Sequence, residues 1–254
     1  MSSKRKKIGV FDSGIGGFSI LKRLVEILPG HEFYYLSDLP HSPYGNKSTE
    51  YIQERCQVIT ETLLNEGVDL ILIACNTATA ASIDSLREKY SIPFVGIEPF
   101  VKSIESLDFK DEQLKPVVLT TIAMGESDRF KSLMKRYDPD LRIYHQSCPS
   151  LASLIEKAFE DGLSSVELDL ETELKTLVNK GFTHAILGCT HYPLIETKIE
   201  SFLGLKCISP CLPVAKRVAQ LLEARPLTGR TELFFKTTGE ESFKTFEAAL
   251  LSLG

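Results

Sequence analysis

The chain carries one short pattern twice, and nothing else in it constrains the fold as much. Leu70 to Ala81 reads LILIACNTATAA and Ala185 to Leu194 reads AILGCTHYPL. Each is an apolar run ending in a cysteine, followed by hydroxyl and amide or imidazole residues and then a segment of helical character. An apolar run without polar alternation suits a strand buried on both faces, which places Cys75 and Cys189 at the carboxyl ends of two parallel core strands. In open α/β sheets ligands bind beyond those strand ends. The cysteines are separated by about the length of a small domain, so the pattern predicts two similar α/β halves, each giving one thiol to a shared site. A helix N-terminus after each cysteine favours the thiolate, lowering the thiol pKa toward neutrality, and can also hold a carboxylate. Taken singly, either copy reads equally well as a buried structural cysteine. Repetition, with polar residues after both thiols, turns the reading toward chemistry.

The rest of the chain alternates strands and helices. Lys7 to Phe11 is a strand, and Asp12-Ser13-Gly14-Ile15-Gly16-Gly17 is a glycine-rich turn opening a helix from Phe18. Its glycines fall as G-x-G-G, without the G-x-G-x-x-G or Walker spacing of nucleotide-binding loops, so a tight turn with backbone N–H groups facing a ligand is expected. Asp12 reads as a helix cap or a functional acid. Further strands are expected at Glu32 to Leu36, Pro93 to Ile97, Pro116 to Thr121, Leu141 to His145, Lys206 to Ile208 and Leu233 to Lys236. Helices are expected at Ser48 to Glu66, Ala78 to Tyr90, Ser127 to Tyr137, Leu151 to Glu160, Glu167 to Lys180 with Gly181 as its cap, Tyr192 to Phe202, Val214 to Glu223 and Glu241 to Leu253. The fold class is α/β: two similar parallel-sheet domains related by pseudo-symmetry, with the site in the cleft between them. The expected division is residues 1–98 plus 211–254 around Cys75, and 99–210 around Cys189.

Composition narrows the function classes. A net charge of −5 gives no global attraction to nucleic acid or anionic membranes, and the basic run Lys4 to Lys7 reads as a solvated tail. No segment reaches the ~20 apolar residues of a membrane span, and the amino terminus lacks the apolar stretch of a signal peptide. Six scattered cysteines fit a reducing cytosol. Cys207 and Cys211 lack metal-ligand spacing, and the five histidines are dispersed, so no metal site is expected.

DSGIGGFS at 12–19, PYG at 43–45, ACNTA at 74–78, GIEP at 96–99, CP at 148–149 and LGCTHYPLI at 187–195 together resemble the glutamate racemases of bacterial cell-wall synthesis. The resemblance runs in order from Ile8 to about Val218. His191 after Thr190 favours glutamate over the related aspartate racemases, whose second motif more usually reads GCTE. The resemblance implies removal of the α-proton of an amino acid on one face and delivery of a proton on the other. It implies that Cys75 serves the D-isomer and Cys189 the L-isomer, assisted by Asp12 and His191 respectively, with Asp38 and Glu156 as supporting acids. The substrate contacts it implies are Asp12, Ser13, Tyr44, Gly45, Asn76, Thr77, Thr121, Thr190 and His191. No cofactor is implied, since paired thiols make an electron sink redundant. The resemblance further implies a cytoplasmic enzyme supplying D-glutamate for peptidoglycan. Its partner is the small-molecule substrate, and because dimerisation is common among relatives a homodimer is the assembly to consider. Aspartate or another amino-acid racemase of the same superfamily, and a racemase-fold protein with a non-catalytic binding role, are the alternatives. Departures occur at Leu39 to Ser42, Met124 and Ser209 to Cys211; none removes an implied site residue.

Overall fold

The computed structural model describes residues 4–106, 114–160 and 170–246. The chain opens with β1 (Lys7–Asp12), α1 (Phe18–Ile27), β2 (Glu32–Ser37), α2 (Thr49–Asn65), β3 (Leu70–Ile73), α3 (Asn76–Lys89) and β4 (Phe94–Gly96). After a 3₁₀ segment at Val101–Ser106 come β5 (Pro116–Thr120), α4 (Ile122–Glu126), α5 (Asp128–Tyr137), β6 (Tyr144–Ser147), α6 (Leu151–Glu160), α7 (Glu171–Leu174) and β7 (His184–Gly188). The chain continues through α8 (Glu196–Leu203), β8 (Lys206–Ile208), α9 (Cys211–Leu221), β9 (Glu232–Thr237) and β10 (Lys244–Thr245).

Among the described residues the strands form two sheets, ordered β10-β9-β2-β1-β3-β4 and β6-β5-β7-β8. Apart from β10, which runs antiparallel to β9, every pairing is parallel. The run β2-β1-β3-β4 in the first sheet has the same order as β6-β5-β7-β8 in the second, so β3 and β7, the strands that lead to the two thiols, are equivalent.

The apolar runs are continuous because both faces of each sheet are covered. Leu70 and Leu72 of β3 join Ile8, Val10 and α1 and α9 residues on one face, while Ile71 and Ile73 join Phe11 and α2 and α3 residues on the other. In the second sheet, Val117, Leu119, Ala185 and Leu187 face α6 and the segment after Cys189, whereas Val118 and Ile186 meet Met124, Phe130 and Val101. Each fully buried Leu or Ile contributes about 1.5–3 kcal/mol over an exposed one.

Four local expectations fail. Residues 141–143 form a turn, not a strand: the Asp138 carboxylate accepts from the backbone N–H of Arg142 (2.8 Å) and Ile143 (2.9 Å), Leu141 takes a φ of 54°, and β6 begins only at Tyr144. The expected helix to Lys180 reduces to α7 and a 3₁₀ turn, Lys175–Leu177; its earlier part, 167–169, lies outside the described residues. There Glu173 accepts from the backbone of Ser150 (3.1 Å), tying the short helix to the start of α6, and Asn179 at φ 60° diverts the chain before Gly181. Tyr192 begins a 3₁₀ turn with Pro193 in its first positions, and α8 starts at Glu196. The C-terminal helix expected from Glu241 is the strand β10 where it is described, and 247–254 lie outside. Phe243 and Phe246, spaced as on a helix face, in fact pack on opposite faces of the sheet, against Tyr34 and against Phe18 and Phe235.

Candidate active site

On the first sheet the site grows from the ends of β1 and β3. Cys75 is the N-cap of α3; its Sγ accepts from the backbone N–H of Ala78 at 3.4 Å, as the orphan amides of a first helical turn require. Ser13 stands between this thiol and Asp12: its hydroxyl donates to Asp12 Oδ1 at 3.0 Å and lies 3.9 Å from Cys75 Sγ. Asp12 is fully buried. Burial raises its pKa above the usual carboxylate value, against the pull of nearby His191 and the hydrogen bond from Thr190. Cys75 departs from the sequence expectation of a lowered thiol pKa. Burial first, and the Asp12 carboxylate second, push it well up, outweighing the helix amide that favours the thiolate.

On the second sheet the thiol is surrounded differently. Cys189 follows β7 and is succeeded by a 3₁₀ turn, not by the α-helix terminus expected from the sequence. Its polar neighbour is an imidazole: His191 Nδ1 lies 3.7 Å from Cys189 Sγ, and His191 Nε2 lies 2.5 Å from Glu156 Oε2. Burial opposes the imidazolium, but Cys189 and Glu156 on either side outweigh it and hold His191 well above the usual imidazole range.

These groups meet across the two sheets. Thr190 Oγ1 donates to Asp12 Oδ2 (2.9 Å), the Ile15 backbone N–H donates to Glu156 Oε1 (3.2 Å), and the Thr77 and Thr121 hydroxyls are 3.1 Å apart. The glycine-rich turn is shaped for this closeness. A Cβ on Gly14 would lie 2.5 Å from Glu156 Oε2, and one on Gly16 2.5 Å from His191 Nδ1. Neither glycine has a positive φ, so what the positions require is space for the other sheet's side chains.

A cavity of about 60 Å³ lies between the sheets. It is lined by both thiols and by Ser13, Tyr44, Gly45, Asn76, Thr77, Thr121, Thr190 and His191. Both polar atoms of the buried Asn76 amide lack a protein partner. Asp12 sits directly behind, bonded to Ser13 and Thr190, and Glu156 sits behind His191. Asp38 does not reach the cavity walls; it binds Tyr44, Arg55 and Thr238 instead. Sequence reasoning missed Pro43, Asn46, Pro149, Ala152 and Ser153 as lining residues, although the two prolines stand in motifs it singled out. Ala152 and Ser153 belong to the first turn of α6, where nothing local distinguishes a lining residue from an ordinary helical one. Among the described residues no cluster of three or more His, Cys, Asp or Glu could hold a metal, and no helix is long and apolar enough to cross a membrane.

Residues 8–218 match the family model described as Asp/Glu/Hydantoin racemase. A glutamate racemase of Ectopseudomonas mendocina is 38% identical over 225 residues, covering 87% of this chain and 84% of that protein. Among solved structures, a glutamate racemase of Bacillus anthracis superposes with a TM-score of 0.80 at 30% identity, covering 93% of this chain and 90% of that one. The glutamate racemase of Francisella tularensis in complex with D-glutamate gives 0.75 at 31% identity, with 93% and 89% covered. Sheet order, paired strand-end thiols and these likenesses agree, and the chain belongs to the Asp/Glu/Hydantoin racemase family.

Proposed function

We propose that the protein is a cofactor-independent glutamate racemase that interconverts L- and D-glutamate by proton transfer between two thiols, supplying D-glutamate for peptidoglycan. The observation that carries this reading is the placement of Cys75 and Cys189 at the ends of equivalent strands of two sheets, both lining one cavity. Inverting a stereocentre by proton transfer needs a base on one face of the α-carbon and an acid on the other. In the L-to-D direction the Cys189 thiolate takes the α-proton, and the C–H electron pair stays on the α-carbon. That pair then takes the proton of the Cys75 thiol to form the new C–H bond. Cys75 is left as thiolate and Cys189 as thiol, and the reverse direction exchanges the roles.

The neighbours fit these tasks. Burial keeps Cys75 protonated, as an acid must be before it acts. His191, held as imidazolium against Cys189, can pass a proton to and from that sulfur, and Glu156 keeps the ring in place. Asp12, joined to Cys75 through Ser13, serves the first thiol and can meet the substrate ammonium. The unpartnered Asn76 amide, the Thr77, Thr121 and Thr190 hydroxyls and the Tyr44-Gly45 turn supply donors for two carboxylates. A buried donor without a partner costs about 1–3 kcal/mol, which a bound carboxylate relieves at Asn76 Nδ2 and the substrate ammonium can relieve at Oδ1.

A volume of about 60 Å³ is far below the roughly 300–1,000 Å³ of open ligand pockets. The substrate is therefore admitted when the halves part, and closure excludes water around the carbanion. Such exclusion strengthens every charge interaction that replaces an electron-sink cofactor. The halves that move are residues 1–98 with 211–254, and 99–210.

Incubation of the protein, free of added metal and cofactor, with L-glutamate in D2O tests the reading, following optical rotation and α-deuterium together. Racemisation with α-exchange is expected. Turnover of L-aspartate but not L-glutamate would overturn the substrate assignment, and inactivity on both would overturn the racemase reading.

A further inference from the structure

Asp38, at the end of β2, is fully buried without lining the cavity, and its two oxygens are saturated. Oδ2 accepts from the Tyr44 hydroxyl (2.5 Å) and from Arg55 Nε (3.0 Å); Oδ1 accepts from Arg55 Nη2 (2.8 Å) and from Thr238 Oγ1 (2.5 Å). Four donors occupy the roughly four acceptor positions a carboxylate has. The group therefore has no free position from which to exchange protons with a substrate. What it does hold is Tyr44, whose ring is buried and whose turn forms one wall of the cavity. The next residue, Gly45, comes so near the second sheet that a Cβ there would be 3.3 Å from Thr121 Cβ, so the turn touches both halves.

We propose that Arg55, on α2, is a positioning residue for catalysis: with Thr238 it fixes the Asp38 carboxylate, which through the Tyr44 hydroxyl seats the Tyr44-Gly45 turn against substrate. This inference rests on the racemase reading above. The bidentate fork of Arg55 sets the plane of the carboxylate and hence the direction in which it meets Tyr44, which a lysine cannot do. Thr238 lies just past β9, so the C-terminal part of the chain reaches the site through this residue.

The test compares wild type, Arg55→Lys, Arg55→Gln, Tyr44→Phe and the Arg55→Gln/Tyr44→Phe double variant. Readouts are KM and kcat for glutamate racemisation, thermal melting, and 19F spectra of protein labelled with 3-fluorotyrosine, in which Tyr44→Phe identifies the Tyr44 signal. Loss of register by about 1 Å costs up to about 100-fold. Arg55→Lys, which keeps the charge and the fold, is therefore expected to lower kcat/KM roughly 10- to 100-fold, mainly through KM, and to move the Tyr44 resonance. The double variant is expected to lose little more than the worse single variant, because both substitutions cut one chain of contacts. A folded Arg55→Lys protein with wild-type constants and an unmoved Tyr44 signal would overturn the proposal, as would fully multiplicative losses in the double variant. Wild-type turnover of glutamate, measured first, separates that outcome from failure of the racemase reading, and the fluorine shift is read whether or not the protein turns over.

Discussion

Gly16→Ala places a methyl where the second sheet presents its imidazole. The new Cβ would lie 2.5 Å from His191 Nδ1, 2.8 Å from His191 Cε1 and 2.7 Å from Thr190 Oγ1, about 0.9 Å inside ordinary contact at its closest. His191 cannot simply rotate away, because its other nitrogen is bound to Glu156, which is itself held by the backbone of Ile15. Either the imidazole is displaced from Cys189 or the proposed closure is blocked, and both misplace the proposed acid–base groups by an amount approaching the ~0.9 Å overlap. The cost is roughly 10- to 100-fold in kcat/KM. Stability should move little: the clash lies between halves that on the proposed opening part from each other, and alanine at a position without positive φ narrows the unfolded ensemble by about 0.4–1 kcal/mol. Circular dichroism of the L-to-D reaction gives the rate and thermal melting gives the stability. Gly229→Ala, where a Cβ meets nothing, is the control. Wild-type kcat/KM within a factor of two in Gly16→Ala would refute the account of the turn as a docking face.

Cys75→Ser and Cys189→Ser are each expected to abolish racemisation, by roughly 10²- to 10⁴-fold or more, as measured by optical rotation; full activity in either variant ends the two-thiol mechanism. Asp12→Asn is expected to raise the melting temperature near neutral pH while impairing turnover. The folded pKa of Asp12 lies above its usual 3.8, so its burial penalty grows as pH rises through the window between the two values; a gain of equal size at acid pH would contradict this. His191→Asn should cost most stability below about pH 6.5 and progressively less as pH rises, because a raised imidazole pKa stabilises the fold while the ring is protonated and that benefit disappears above the folded value. Melting curves across pH for variant and wild type check the sign, and a loss growing with pH would show it to be reversed.

How much was legible depended on whether the determining interaction is local. Burial of β3 and β7 on both faces leaves a direct trace in residue type, and the placement of Cys75 and Cys189 follows from it. G-x-G-G was visible, but its reason was not. Gly14 and Gly16 answer to Glu156 and His191, which lie far away in sequence and are close only after the second half is built. Asp38 shows the same limit: the resemblance implies a supporting acid there, but its bonds to Arg55 and Thr238, from two other elements, have no trace in the local sequence. At Phe243 and Phe246 the i, i+3 spacing suits a helix face, while the close return after Gly239, at φ 95°, puts the rings on opposite faces of an edge hairpin. The raised thiol pKa of Cys75 belongs with these, since burial in the folded protein overrides the helix amide.

The two halves share strand order and thiol position, yet they treat their thiols differently, and this difference has a kinetic consequence. Cys75 has a helix amide, a serine and a buried carboxylate; Cys189 has an imidazole braced by a glutamate. On the proposed two-thiol mechanism, a protein with Cys75 protonated and the Cys189 sulfur facing an imidazolium is poised for L-glutamate, whereas the form that accepts D-glutamate needs a thiolate at Cys75, where burial disfavours it. Enantiomers have equal free energy in water, so the ratio of kcat/KM in the two directions must equal one whatever the protein does. The asymmetry can therefore appear only as paired changes in kcat and KM: the direction with the larger kcat must also have the larger KM. A substitution at Ser13, which touches Cys75 and not Cys189, should shift that division between kcat and KM while leaving the two kcat/KM values equal to each other.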